Sequence, residues 1–142
     1  MEISLRFDLD NIDWKSVCEI FEKAPLGTRD PVKLMIAAEN SAVVCFACDS
    51  DRIIGFGRAL SDGVTCAAIY DLCLLPEYQS KGVGRLIMNG IMEKLKNQNV
   101  ILYAVPGKQG FYEKLGFKTM LTAMGSFTDM ERMKQMNYIS KD

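Results

Sequence analysis

The stretch Gln79-Ser80-Lys81-Gly82-Val83-Gly84 has the clearest chemical character in the chain. It lies between an apolar, strand-like run and a run with helical spacing. A helix N-terminus presents unpaired N–H groups and a partial positive charge. Gly82 and Gly84 let the backbone come close to a ligand there. That combination suits a diphosphate, and it equally suits a tight strand-to-helix turn. A Walker loop would need Gly-x-x-x-x-Gly-Lys-Ser/Thr, which is absent, and Ile87 stands where a dinucleotide fingerprint needs its third glycine. Gly55-Phe56-Gly57 sits inside a strand-like run with no helix behind it, so those glycines read as strand or bulge residues.

The remaining chemistry is constrained by what is missing. The chain has no histidine, which excludes Ser-His-Asp and Cys-His nucleophilic machinery and every His-ligated metal site. Carboxylates, tyrosines, cysteines, backbone amides and water are left. Asp71 stands in an otherwise apolar run, where an unpaired charge is costly. Cys45-Phe46-Ala47-Cys48 is a Cys-x-x-Cys, but residues three apart in a strand point to opposite faces, and no second pair exists. Redox and zinc roles are therefore not expected of it.

These groups need elements to hold them. Residues 2–8 alternate Ile3, Leu5 and Phe7 against Glu2, Ser4 and Arg6, the pattern of a half-buried strand. Asp13 caps a helix reaching Lys23, with Val17, Ile20 and Phe21 on one face; Pro25 and Gly27 end it. Asp30-Pro31 opens a second helix to about Asn40. Strands are expected at 41–48, 52–60 and 64–75, the last buried on both faces. A helix over 84–97 carries Ile87, Ile91 and Leu95, a buried strand follows at 100–105, and a short helix at 108–115 ends on Gly116 at C′. Residues 117–121, and part of 124–139, are expected to supply final strands. The order is an α/β one, with a strand meander in the middle and two late helical crossovers.

The chain's 142 residues fit a single domain over 1–142. Seventeen basic and 18 acidic residues leave a net charge of -1, so nothing points to nucleic acid or an anionic membrane as partner. No apolar run approaches a membrane span, and residues 1–6 do not read as a secretory leader. Five cysteines, an odd number, suit a reducing cytoplasm better than a disulfide framework.

The run from Asp71 through Leu75-Pro76-Glu77-Tyr78 to Gly84 resembles the acetyl-CoA signature of the GNAT superfamily of N-acetyltransferases, a strand followed by Gln/Arg-x-x-Gly-x-Gly/Ala. About thirty residues on, Phe111-Tyr112-Glu113-Lys114-Leu115-Gly116-Phe117 resembles that superfamily's second signature. Both occur in this order with a strand between them, and together they cover roughly residues 69–117. A narrower likeness, Ile53 to Ala59 with Ser61-Asp62 and Ile69-Tyr70-Asp71, is to bacterial members related to the serotonin N-acetyltransferases of plastids and cyanobacteria.

The resemblance implies the GNAT acyl-CoA N-acyltransferase fold: a mixed central sheet with splayed central strands and helices on both faces. It implies direct transfer of the acetyl group of acetyl-CoA, as cosubstrate, to a primary amine of a small molecule, with no metal. The backbone of Leu72, Cys73 and Leu74 would meet pantetheine by strand-like pairing, with an N–H near Leu74 polarising the thioester carbonyl. Gln79, Ser80, Lys81, Gly82, Val83, Gly84 and Arg85 would hold the diphosphate end. Tyr112 matches the family's general acid, and a phenol of pKa about 10 can protonate a thiolate whose thiol has a pKa of about 8.5; its alternative role is core packing. An alkyl amine is charged at neutral pH, so a base or ordered water must take its proton.

Asp71 is the carboxylate candidate on the acceptor side, as a base through water or an ammonium anchor; the alternative is a structural partner for an arginine such as Arg58. Many family members carry an asparagine seven residues before the tyrosine, and here Val105 replaces it, followed by Pro106-Gly107. Cys73 lies near the implied acetyl site, but no base marks it for covalent catalysis, so apolar filling suits it better. Alternative functions are a protein N-terminal or lysine acetyltransferase, or a non-catalytic acetyl-CoA-binding module. Homodimers are common in the superfamily.

Overall fold

The computed structural model describes all 142 residues. Contacts within the chain divide it into two compact units, Met1–Leu102 and Tyr103–Asp142.

The first unit holds strand β1 (Ile3–Arg6), helices α1 (Trp14–Lys23) and α2 (Pro31–Glu39), strands β2 (Val43–Asp49), β3 (Arg52–Ser61) and β4 (Cys66–Leu74), helix α3 (Val83–Lys94) and strand β5 (Asn99–Ile101). The expected caps close both early helices. Asp13 Oδ1 accepts from the Lys15 and Ser16 N–H groups at 3.2 and 3.5 Å. Asp30 Oδ1 accepts from Val32 and Lys33 at 2.9 and 3.1 Å, with Pro31 in the first turn. Such caps satisfy N–H groups that the helix itself leaves without partners.

The five strands lie in sequence order, β1-β2-β3-β4-β5. The first three pairings are antiparallel, and β4 with β5 is parallel. This is the mixed sheet that was expected. The α3 helix provides the crossover that a parallel pair requires.

Alternation along β3 puts a helix against each face. A Cβ built on Gly55 would lie 2.9 Å from Ile87 Cδ1, and one on Gly57 2.9 Å from Ile91 Cδ1, so these glycines face α3. Between them Phe56 points the other way, with its ring centroid 6.4 Å from Phe21 and 6.3 Å from Trp14 of α1. The core is thus two layers around one sheet: Phe21, Phe46, Phe56 and Ile20 on the α1 side, and Ile87, Met88 and Ile91 from α3. Gly90 repeats the device on the helix, since a Cβ there would come 2.9 Å from Leu5 Cδ1.

Strand ends move from their expected places, most clearly the start of β4 and the end of β5. β4 begins at Cys66 rather than 64, because Asp62 Oδ1 accepts from the N–H groups of Val64 and Thr65 and holds them in a turn. β5 stops at Ile101 rather than 105, its ladder to β4 covering only Cys66–Ala68 against Asn99–Ile101.

The second unit contains α4 (Gln109–Glu113) and α5 (Met130–Gln135). Gly116, at φ +95°, closes α4: its N–H reaches the Glu113 carbonyl at 3.0 Å, and the Phe117 N–H reaches Tyr112 at 3.1 Å. That pair of bonds is a Schellman closure. The final strands expected at 117–121 and within 124–139 do not form. Leu121 and Met124 are almost fully exposed, so residues 117–124 bury no apolar face. Residues 130–135, Met-Glu-Arg-Met-Lys-Gln, are straight-chain helix formers, and Asp129 caps them by accepting the Arg132 N–H at 3.0 Å.

Candidate functional site

The site of interest begins where β4 parts from β5. Beyond Ala68 β4 runs six more residues, Ile69 to Leu74, with no strand paired on that edge. These are the splayed strands of the expected fold.

Within this stretch β4 carries a bulge. Phe56 pairs with Cys73 and Arg58 with Tyr70, leaving Asp71 and Leu72 together opposite Gly57. Asp71 takes the left-handed conformation, φ +62°. A bulge bends a strand and re-aims its side chains, and Asp tolerates this conformation better than most residues.

Past the bulge the backbone groups sort by edge. The Leu75 N–H donates to Ile54 at 2.9 Å. By antiparallel alternation Cys73 then bonds back to β3, and Leu74 turns its N–H and C=O to the opposite edge. The Leu74 carbonyl on that edge accepts from Gln79 Nε2 at 3.0 Å. Of the residues expected to meet a ligand with their backbone, Leu74 turns its groups to the unpaired edge, whereas Cys73 spends its groups on the sheet.

Gln79 is thereby tied to the strand end, and the loop after it forms the start of α3. Ser80 has φ +62° and Gly82 φ +84°. Gly82 is the N-cap and offers no side-chain acceptor to the first N–H groups of α3. The loop side chains Ser80, Lys81 and Arg85 are exposed, while Val83 is buried and anchors the first turn. A backbone cradle with the helix dipole behind it and two basic side chains beside it fits an anion such as a diphosphate.

Each oxygen of the Asp71 carboxylate is paired with an arginine. Its Oδ1 accepts from Arg29 Nη1 at 2.9 Å and its Oδ2 from Arg58 Nε at 2.7 Å. The Asp71 side chain is 9% exposed, Arg58 15% and Arg29 36%. Arg58 also donates to Ser41 Oγ at 3.3 Å, and its guanidinium lies 5.4 Å from the Tyr70 ring. The Arg29 guanidinium stacks 4.3 Å over the Phe21 ring. Arg58 is the partner anticipated from the sequence. Arg29 is not, since it lies between α1 and α2, in a loop with no local pattern to mark it.

The five cysteines are all free thiols. Burial pushes the Cys45 thiol up to about 12. Burial first, and the Asp71 charge second, raise the Cys73 thiol further above the ordinary range. A thiol so reluctant to ionise is a poor nucleophile.

In the second unit Tyr112 sits on α4, its ring centroid 5.0 Å from Phe111 and 6.1 Å from Phe117. Burial, then the neighbouring Tyr138, raises its phenol above the ordinary tyrosine value. The group therefore stays protonated over the whole neutral range.

The chain is similar to known proteins along most of its length. Residues 9–117 match the model of the Acetyltransferase (GNAT) family. Serotonin N-acetyltransferase 2, a chloroplastic protein of rice (Oryza sativa subsp. japonica), is 31% identical over 80% of this chain and 60% of its own. The chloroplastic GCN5-related N-acetyltransferase 1 of Arabidopsis thaliana is 28% identical over 96% of this chain and 68% of its own. This chain thus spans about two thirds or less of the length of these curated relatives. Among solved structures, a GNAT-family acetyltransferase from Streptococcus pneumoniae superposes with a TM-score of 0.75 at 25% identity, over 88% of this chain and 96% of that one. With a family match over residues 9–117, and the splayed strands and glycine loop both in place, the chain belongs to the GNAT acetyltransferase family.

Proposed function

We propose that the protein is an N-acetyltransferase that moves the acetyl group of acetyl-CoA directly to the primary amine of a small molecule. The observation that carries this reading is the continuity of two features. The open edge of β4 ends at Leu74, and the loop tied to it by Gln79 delivers the uncapped N-terminus of α3.

The chain's own groups divide the work. The α3 N-terminus with Lys81 and Arg85 holds the diphosphate. The free edge of β4 takes the pantetheine arm as an added strand. The Leu74 N–H polarises the thioester carbonyl, so it stabilises the negative charge that grows on that oxygen as the amine attacks. In the reaction the amine nitrogen forms a bond to the acetyl carbon and the carbon–sulfur bond breaks. The ammonium first loses one proton to water, and the nitrogen loses a second to solvent once it is bonded to the acetyl carbon. Tyr112 gives its proton to the coenzyme A thiolate as the carbon–sulfur bond breaks and is reprotonated from solvent. Asp71 has a positioning role in this scheme. Each of its oxygens is held by an arginine, and it holds the bulge that shapes the β4 edge.

The test is release of free thiol from acetyl-CoA with a panel of amines, with the acetylated product identified by mass. Acetyl-CoA should raise the melting temperature and NAD should not. Stabilisation by NAD alone would overturn the cofactor assignment. Binding of acetyl-CoA with no acetylated product from any small amine would overturn the transferase reading.

A further inference from the structure

We infer that the amine acceptor carries an oxyanion, a carboxylate or a phosphate, recognised by Arg29; this rests on the transferase reading above. Arg29 and Arg58 share one carboxylate, Asp71, so the cluster holds two positive charges against one negative. Asp30, next to Arg29, keeps its own charge but turns its carboxylate to the N-terminus of α2, where it accepts from Val32 and Lys33.

The two arginines differ in what they have left to give. Arg58 is 15% exposed and spends Nε on Asp71 and Nη1 on Ser41. Arg29 is 36% exposed and donates to the protein only through Nη1. Its Nε and Nη2 donors are uncommitted, and the plane that carries them is held by the Phe21 face and by Asp71. A guanidinium fixed in plane, with unused donors, is a ready partner for an oxyanion.

Position gives that partner its meaning. Asp71 is the bulge residue on the stretch of β4 that leads to Leu74, the residue whose N–H faces the open edge. An acceptor amine must come within about 3–3.5 Å of a thioester held on that edge. Arg29, bound to the bulge itself, is then within reach of the rest of a small acceptor. A cationic tail would meet the Arg29 guanidinium there, and an uncharged tail would leave the Arg29 donors to water.

The experiment compares acceptors that differ only in the anion: tyramine with tyrosine, tryptamine with tryptophan, and ethanolamine with phosphoethanolamine. Acetyl transfer is followed by thiol release and product mass. The anionic member of at least one pair should have a kcat/KM at least tenfold above its neutral partner. The amino-acid and phosphate arms then separate carboxylate from phosphate. Arg29→Met keeps an unbranched stem over Phe21 and should collapse that ratio toward one, whereas Arg29→Lys should restore part of it. A ratio near or below one in every wild-type pair overturns the inference, as does a ratio that survives Arg29→Met in a folded protein. An equilibrium arm covers the case of no turnover. Calorimetry of N-acetyltyrosine against N-acetyltyramine on the coenzyme A-loaded protein should show tighter binding of the former, lost in Arg29→Met. Equal binding there overturns the inference, and the thiol-release result reports separately on the transferase reading.

Discussion

Asp71→Asn separates a structural carboxylate from a chemical one. Asparagine matches aspartate in size and is one of the few residues at ease at φ +62°, so the substitution removes charge with little backbone strain. What remains is two guanidiniums facing a neutral amide. Removing one partner of a buried ion pair costs about 3–5 kcal/mol. That range needs a discount, because Arg29 is 36% exposed and can rehydrate, whereas Arg58 at 15% cannot do so fully. The expected loss is then about 2–3 kcal/mol, or roughly 4–12 °C in Tm for a chain of this size. Urea unfolding should show a lower midpoint with an unchanged slope. Turnover, measured well below the new Tm, should fall less than about tenfold, since no proton passes through Asp71; removing a working general base costs about 10²–10⁴-fold. A variant as stable as wild type, to within about 0.5 kcal/mol, would show that the two ion pairs do not hold the bulge. A folded variant with 10²-fold lower kcat would return Asp71 to the chemistry.

Tyr112→Phe should fold normally, bind acetyl-CoA and lose about 10²–10⁴-fold in kcat. The protonated phenol is the active form and burial raises its pKa, so the alkaline fall of the wild-type rate should be centred above the pH at which a free tyrosine ionises; near wild-type kcat in the variant would make the residue packing alone. Gly84→Glu places bulk and negative charge in the proposed diphosphate cradle and should abolish the acetyl-CoA shift in Tm; an unchanged shift removes the loop from the site. Gly57→Val should destabilise by about 1–3 kcal/mol or more, because its Cβ would meet Ile91 Cδ1 at 2.9 Å and Ile87 Cγ2 at 3.2 Å, and both isoleucines are fully buried. A Gly57→Val protein with the wild-type urea midpoint would mean that α3 does not lean on β3 there.

The parts of the fold visible in the sequence are those written in local chemistry. Asp13 and Asp30-Pro31 announce helix starts because a cap bonds to N–H groups two or three residues away. Gly116 announces the end of α4 because a left-handed turn there suits glycine. The glycine loop and Tyr112 are visible for the same reason, as runs of consecutive residues. The misses are non-local. The β5 ladder ends at Ile101 although the apolar run continues to Val105, and a ladder depends on a partner edge that local sequence does not name. The strands expected after residue 116 rested on short apolar clusters, and these carry no information about whether a partner edge is available. Arg29 could not be singled out at all, because its partner lies 42 residues away.

Gly57 shows how a local reading can be correct and still incomplete. Two glycines in a strand suggest a bulge or close packing, and here Gly57 has both. It sits opposite the paired residues Asp71 and Leu72, and it faces Ile91 across the sheet. The bulge places a non-glycine residue in a conformation that costs about 1–2 kcal/mol, in a strand that is otherwise apolar. Two ion pairs to the Asp71 side chain offset that cost, which explains why the one charged residue of β4 stands at the one position that must bend. Asp71 thereby fits the structural alternative that the sequence left open for it beside a chemical one. Its consequence for function runs through the arginines it gathers, and Arg29, the more exposed of the two, is the group left facing outward.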